Sequence, residues 1–462
     1  MAKYKKYPEY KDSTDDWLSS LPSEWSEVPL KFLSHVDNSG SFGDEENEIN
    51  AVLPVATTAQ IDSEGRFNVA AMPRRSFTNF EVSRYCCVEH DILVVKSSGS
   101  SQNVISGKSG IVTKDTPKFV FSNFLLRIQA YSKQILPKLL YYIINSELTR
   151  ERVLRMVSGT TYPNLQVGEY IGAIIPLPPL VEQKQIAKFL DHETGKIDRL
   201  IQKQQQLIEL LKEKRQAVIS HAVTKGLNPN APLKPSNIEW LGDVPEHWEV
   251  PQVGYCAFVT KLTGFEYTNL WKTKEDGEVI ALRGFNVKER KLELNDVERI
   301  SSELSDTLVR SKLDKGDIVF PCTGTIGNAA LIEEDGLFHI NQNIAKIRFN
   351  QTVSSRFAIY WLTSSFIRTL IDRNNTSGMQ PVVLIGDIRK LPIPRFEYQE
   401  QESIADHLDT VVNRFCKLIS NAVSAINLMQ ERRTALISAA VTGKIDVRDW
   451  SPAGEESEEE KG

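Results

Sequence analysis

Residues 215–224 read RQAVISHAVT and residues 433–442 read RTALISAAVT, with seven of ten letters identical at an offset of 218. Three further landmarks recur in the same order. WLSSLPSEW (17–25) returns as WLGDVPEHW (240–248), IPLPPL (175–180) as LPIPRF (391–396), and IAKFLD (186–191) as IADHLD (404–409), at offsets of 223, 216 and 218. Four matches in register indicate a tandem duplication with units near 11–226 and 234–444. The period is far longer than a solenoid repeat, so the repeated object is domain-sized.

Between landmarks the element order also repeats. Short apolar runs at 91–95, 110–114 and 124–130 read as strands, as do 317–320, 329–333 and 344–349. Each set is followed by one helical segment, from Pro137 in the first copy and over 355–372 in the second. A polar loop comes next, around Thr160, Thr161 and Tyr162 or around Asn374, Asn375 and Met379. Both loops keep Ser-Gly (Ser158-Gly159 and Ser377-Gly378), which favours a role in closing each module onto its helix.

The repeated stretch ends a long helical pattern. Alternating steps of four and three from Ile186 reach Leu190, Glu193, Ile197, Leu200, Gln204, Leu207, Leu211, Lys214 and Val218. The same steps from Ile404 reach Leu408, Val411, Phe415, Leu418, Ala422, Ala425, Met429, Arg432 and Leu436. A period of ~3.5 residues held over ~40 residues predicts a coiled-coil seam rather than two helices each facing its own core. Antiparallel pairing suits a duplicated chain. The expected fold is α+β: two mixed α/β modules separated by two long antiparallel coiled-coil helices, a pseudo-two-fold tandem duplication. The expected boundaries are 1–178 and 227–396 for the modules, 179–226 and 397–444 for the helices, and 445–462 for an acidic disordered tail.

Composition narrows the function class. Net charge is −5, but residues 451–462 carry five Glu and one Lys, so the remaining chain is near −1. A neutral body can still hold local basic faces. Five cysteines without a CxxC pair suggest reduced thiols, a cytoplasmic setting and no zinc site. No apolar run approaches the ~20 residues needed to span a bilayer. Gly107-Lys108-Ser109 imitates the end of a P-loop, but the position five residues before Gly107 is Gln102 instead of glycine. No adenine-methylase NPPY or DPPY signature and no HExxH pair is present.

Two unlike modules on one ruler suit a split target on a long regular polymer such as duplex DNA. The segment 96–110 joins two expected strands and differs in length from its counterpart 321–328, which makes both candidate recognition loops. Their polar groups are Lys96, Ser98, Gln102, Asn103 and Lys108 in the first copy and Thr323, Thr325 and Asn328 in the second. Arg74 and Arg75, and the basic run holding Arg283, Asn286 and Lys288, are further candidates for phosphates or guanine edges. A structural adaptor holding two protein-binding domains apart is the alternative from another class. It explains the duplication but not the divergence inside an unchanged frame.

The LPxxW stretches, SGTTYPNL running into IPLPPLVEQKQIAKFLD, and KRQAVISHAVTKGLNP leading to IEWLGDVPEHWEV resemble the specificity subunit of Type I restriction–modification systems. The resemblance covers nearly the whole chain. It implies two target-recognition domains on a bipartite asymmetric DNA site, with the helices setting the spacing. It also implies two modification (methyltransferase) subunits docked on the repeats and using S-adenosylmethionine, and restriction subunits using ATP and Mg. The chain itself would hold no catalytic centre, metal or cofactor.

Overall fold

A computed structural model describes residues 4–62, 65–97, 105–158, 164–374 and 382–452. The chain divides into two compact units, one of residues 1–205 and 423–462, the other of residues 206–422. Neither is a simple half of the sequence. Each takes a part of both long helices.

Two sheets of the first unit are built from β1 (Ser34–Asp37), β2 (Ala51–Ala56), β3 (Arg74–Phe77), β4 (Ile92–Val95), β5 (Ser109–Ile111), β6 (Val120–Phe121) and β7 (Leu125–Ala130). An antiparallel sheet has the order β1-β7-β4-β5, and a second has the order β3-β2-β6 with β2 and β6 parallel. The second unit repeats the set as β8 (Ala257–Lys261), β9 (Val279–Leu282), β10 (Glu298–Ile300), β11 (Ile318–Pro321), β12 (Ala330–Leu331), β13 (Phe338–Ile340) and β14 (Ile344–Phe349). Its sheets have the matching orders β8-β14-β11-β12 and β10-β9-β13, again with one parallel pair.

The central strands read as unbroken apolar runs because both their faces are covered. Ile92 and Val94 pack with Leu139, Leu140, Ile186 and Leu190 on a helical layer. Leu93 and Val95 face a separate cluster with Phe119 and Phe121. In the second unit Ile318 and Phe320 join the helical layer and Val319 the other cluster. A strand alternates faces every residue, so both copies sort the same positions to the same layers.

The single helix expected after β7 is two helices, Pro137–Ile144 and Glu147–Arg155. Buried Ser146 breaks it by accepting a hydrogen bond from Thr149 N and so capping the second segment. The second unit has the same break between Ser355–Leu362 and Ser365–Asn374.

The long helices are Leu180–Lys225 and Tyr398–Val441. Within the first unit Glu182, near the start of one, hydrogen-bonds Trp25 (Nε1–Oε1 3.0 Å), and a Cβ on Gly443, just past the end of the other, would lie 3.5 Å from the same indole. Asp198 accepts from Arg433 Nε at 2.8 Å. Numbers rise along one helix as they fall along the other, so the segments are antiparallel. The second unit repeats this with Trp248, which bonds Glu400 at 3.3 Å and packs near Gly226, while Arg215 reaches Cys416 Sγ at 3.8 Å. Gly226 and Gly443 have φ of 73° and 70°, the left-handed geometry that ends a helix.

The buried stripe departs from the expected seam. Ile186, Leu190, Ile197, Ile404 and Leu408 are buried, and Leu211, Val218, Val411, Phe415, Met429 and Leu436 are half-buried. Leu200, Leu207 and Leu418 are 51%, 42% and 42% exposed and are not seam residues. The stripe runs instead through Thr194, Ile197, Ile201, Gln204, Ile208, Leu211 and Arg215, and in the second helix through Val412, Phe415, Ile419, Ala422, Ile426, Met429 and Arg433. Two consecutive steps of four, Ile186–Leu190–Thr194 and Ile404–Leu408–Val412, move every alternate position by one residue. The core of each module fixes the first two of these positions, and the 4–3 alternation starts only after them.

Candidate nucleic-acid interface

One end of each four-stranded sheet is built the same way and lined differently. In the first unit, β4 leads to Lys96, whose N–H donates to Phe124 O (2.9 Å) and whose carbonyl accepts from Leu165 N (2.8 Å). In the second, β11 leads to Cys322, whose N–H donates to Asn343 O (2.8 Å) and whose carbonyl accepts from Val383 N (2.9 Å). Backbone bonds hold the edge, so side chains can change without loss of the ladder. The changes are large. Lys96 corresponds to Cys322, Phe124 to Asn343, and Asn164 to Val382 at matched positions of the repeat.

Lys96 anchors the first edge. Its Nζ donates to Asn38 Oδ1 (3.0 Å) and Asn38 O (3.2 Å), and burial pulls its ammonium below the usual lysine range. Phe124, 45% exposed, stands beside it. Gly40 lies so close to Ser122 that a Cβ would come within 2.5 Å of its backbone, which pins the loop after β1 against the second sheet. At the second edge Cys322 is buried and its thiol is pushed up to about 11, so it presents no charge near neutral pH. Thr325 Oγ1 donates to Gly284 O (2.8 Å) and Asn328 Nδ2 to Val287 O (3.1 Å), tying the loop 321–328 to the turn after β9. Thr323 is half-buried and bridges to Val382.

The arginine candidates carry aromatic partners. Arg75 on β3 stacks over Phe42 at 4.9 Å, and exposed Arg74 donates to Val52 O at 3.3 Å. Arg283 stacks over Phe285 at 4.6 Å and pairs with Glu298 at 3.1 Å. Lys288 pairs with Glu293 at 3.2 Å. Asn286 is not available to DNA. It is 1% exposed, its amide donates to Glu293 O and Asp296 O, and its oxygen accepts from Arg283 N. It is the internal lock of a tight turn. Lys108 spends its ammonium on Ile61 O at 2.5 Å, and Gly107 at φ 82° is packed against Val153, so Gly107-Lys108-Ser109 is a packed turn rather than a phosphate cradle. Ser98, Gln102, Asn103, Gly159, Thr160, Thr161, Tyr162, Asn375, Ser377, Gly378 and Met379 lie outside the described residues, as does 453–462. Asn38, Phe124, Asn343 and Val382 were not singled out from sequence. The signal that could have found them is divergence at positions aligned by the repeat.

Among the described residues no cluster of three His, Cys, Asp or Glu side chains could hold a metal ion, and no helix is long and apolar enough to cross a membrane.

Comparison with known proteins places this arrangement. The family model described as the Type I restriction modification DNA specificity domain matches residues 22–210 and 272–427. The Type I restriction enzyme MjaVIII specificity subunit of Methanocaldococcus jannaschii is 23% identical over 438 residues, covering 93% of this chain and 95% of its own. The EcoBI specificity subunit of Escherichia coli is 24% identical over 298 residues, 62% of each chain. A solved chain from work on complex assembly and conformational transition of the type I R-M system superposes with a TM-score of 0.67 over 92% of this chain and 99% of that one, at 14% identity, and so shares the fold. The chain belongs to the Type I restriction modification DNA specificity family.

Proposed function

We propose that each unit reads one half of a bipartite, asymmetric DNA target through the edge that carries Lys96, Asn38 and Phe124 in the first unit and Asn343, Thr323 and Arg283 in the second. The observation that carries this is the pairing of identical backbone bonds with unlike side chains at that edge. Positioning is kept while the chemistry offered to bases changes, which is what two different half-sites require. The two helices pass from one unit into the other, so their length sets which half-site spacing fits. Recognition is this chain's share. Two modification subunits with S-adenosylmethionine, and restriction subunits with ATP and Mg, supply the chemistry in the cytoplasm. Because the body of the chain is near neutral, binding by the chain alone is weak and the modification subunits complete the grip.

The test is methylation by the assembled complex on targets with one altered half-site. Lys96→Ala and Asn38→Ala lower discrimination at one half by about 10-fold, and Asn343→Ala at the other, on the scale of ~1–3 kcal/mol per base contact. Equal loss at both halves, or none at either, rejects the assignment.

A further inference from the structure

Lys96 and Asn38 together hold one ammonium at the first edge, and the second edge has neither residue. Cys322 stands at the position of Lys96. Strand register shows what stands at the position of Asn38. Asp37 pairs with Arg127 on β7, and Thr260 pairs with Lys346 on β14. Arg127 and Lys346 are matched, so the residues that follow Asp37 and Thr260 are matched too, and these are Asn38 and Lys261. The lysine has changed strands between the copies.

The change of strand leaves the charge at the same end of the sheet. Asn38 follows β1 and Lys96 follows β4, with β7 lying between those two strands. That gap is two strand spacings, ~10 Å. Lys96 Nζ crosses it to donate to Asn38 Oδ1 at 3.0 Å and Asn38 O at 3.2 Å. In the second unit Lys261 ends β8, on the far side of the same gap from Cys322. Burial raises the Cys322 thiol, and Lys261 is near enough to oppose part of that rise. Each edge therefore carries one ammonium across three strand ends, launched from opposite sides.

Lys261 has not spent that charge. It is half-buried, and among the described residues its ammonium has no hydrogen-bond or ion-pair partner. Arg283 and Lys288, by contrast, pair with Glu298 and Glu293. Two exposed arginines flank the same strand, with Arg310 donating to Thr260 Oγ1 at 3.2 Å and Arg389 to Val259 O at 2.8 Å. Mobile exposed cations suit phosphates, whereas a half-buried ammonium fixed at a strand end suits a base edge. An ammonium has donors and no acceptor. In the major groove guanine presents two acceptors, O6 and N7, for it to meet.

We infer that Lys261 is a specificity-determining residue of the second unit, donating to O6 and N7 of a guanine in the second half-site. This rests on the proposed reading of that edge as the face that meets DNA.

The test is methylation by the assembled complex on duplexes in which each guanine of the second half-site is replaced in turn by 7-deazaguanine, which lacks the N7 acceptor. One replacement lowers kcat/KM several-fold with the unaltered chain and has no further effect in Lys261→Ala, which itself loses about 10-fold on the natural target. Lys261→Arg keeps the response to that replacement, and both variants keep full discrimination at the first half-site. A second half-site without guanine, no loss in Lys261→Ala, a loss shared by both half-sites, or a loss equal on every sequence as a phosphate contact gives, would each overturn the assignment. If Asn343→Ala still relaxes the second half-site, Lys261 alone falls and the edge stands as the reading face. If neither variant has an effect, the face falls with it.

Discussion

At the centre of each four-stranded sheet one cation is buried, and the two units solve its neutralisation differently. In the first, Arg127 on β7 contacts Asp37 at 3.1 Å and Asp91 at 3.8 Å. In the second the matched residue is Lys346, which contacts Asp317 at 3.0 Å, while Arg348 from the same strand holds Asp317 at 2.6 Å. Asp91 and Asp317 are matched positions, so the acid stayed and its cations were rearranged. The first unit has two carboxylates around one guanidinium and the second has two cations around one carboxylate. Burial pushes the Asp37 carboxyl up, but the Ser39 hydrogen bonds and Arg127 outweigh it and hold it below the usual range. Burial raises Asp91, which Arg127 reaches only at the longer distance. A duplicated frame therefore keeps the buried acid paired while the number and kind of its cations change.

The sharpest way to break this comparison is to remove the cation from each unit. Arg127→Met strands Asp37 and Asp91 in the first sheet and costs about 3–5 kcal/mol. Lys346→Met leaves Asp317 on Arg348 and costs about 1–3 kcal/mol. Hydrogen exchange read separately on β4 and β11 peptides distinguishes the two, since a chain of two units need not unfold in one step. Equal losses would mean that Arg348 adds nothing to the buried acid.

The helices give the next largest contrast. Ile208→Ala in the buried stripe costs about 2–4 kcal/mol, whereas Leu207→Ala on the exposed side stays within about 0.5 kcal/mol. Thermal unfolding of the two variants decides the register directly, and reversed effects would restore the stepping through Leu200 and Leu207.

That register is where sequence reasoning stopped. The duplication, the two long helices and their antiparallel logic were legible because four motifs recur at one offset. Leu200 beside Ile201 and Leu207 beside Ile208 are adjacent apolar pairs, and a period alone cannot choose between neighbours. The choice was made upstream, where Ile186 and Leu190 belong to a module core. Strands of two to four residues such as β6, β10 and β13 also escaped, being too short to show alternation. At the candidate interface, chemistry-bearing letters misled where burial had already spent them, as with Asn286 and Lys108. The useful signal lay in Lys96 standing where the other copy has Cys322 and Phe124 where it has Asn343, visible only once backbone bonds aligned the copies.

The smallest expected effect concerns pH. His339 on β13 is buried, with Trp271 5.7 Å away and both ring nitrogens facing carbonyls, of Ile340 and Leu308. Burial lowers its pKa below 6.5, the Ile340 and Leu308 carbonyls and Glu266 oppose that, and Lys346 adds to it. The unfolded chain therefore takes up a proton near pH 6.5 that the folded unit resists. Stability from neutral His339 is full above that pH and is lost as pH falls toward the folded value, with a slope no steeper than about 1.4 kcal/mol per pH unit. The matched residue in the first unit is Val120, which does not titrate. His339→Phe should flatten the acid slope of the second unit between about pH 6.5 and 5 and leave the first unit, whose Asp91 titrates on its own terms, unchanged. Denaturant midpoints across that window, followed by exchange on β13 and β6, report the two slopes side by side. An unaltered slope at β13 would place the acid sensitivity elsewhere.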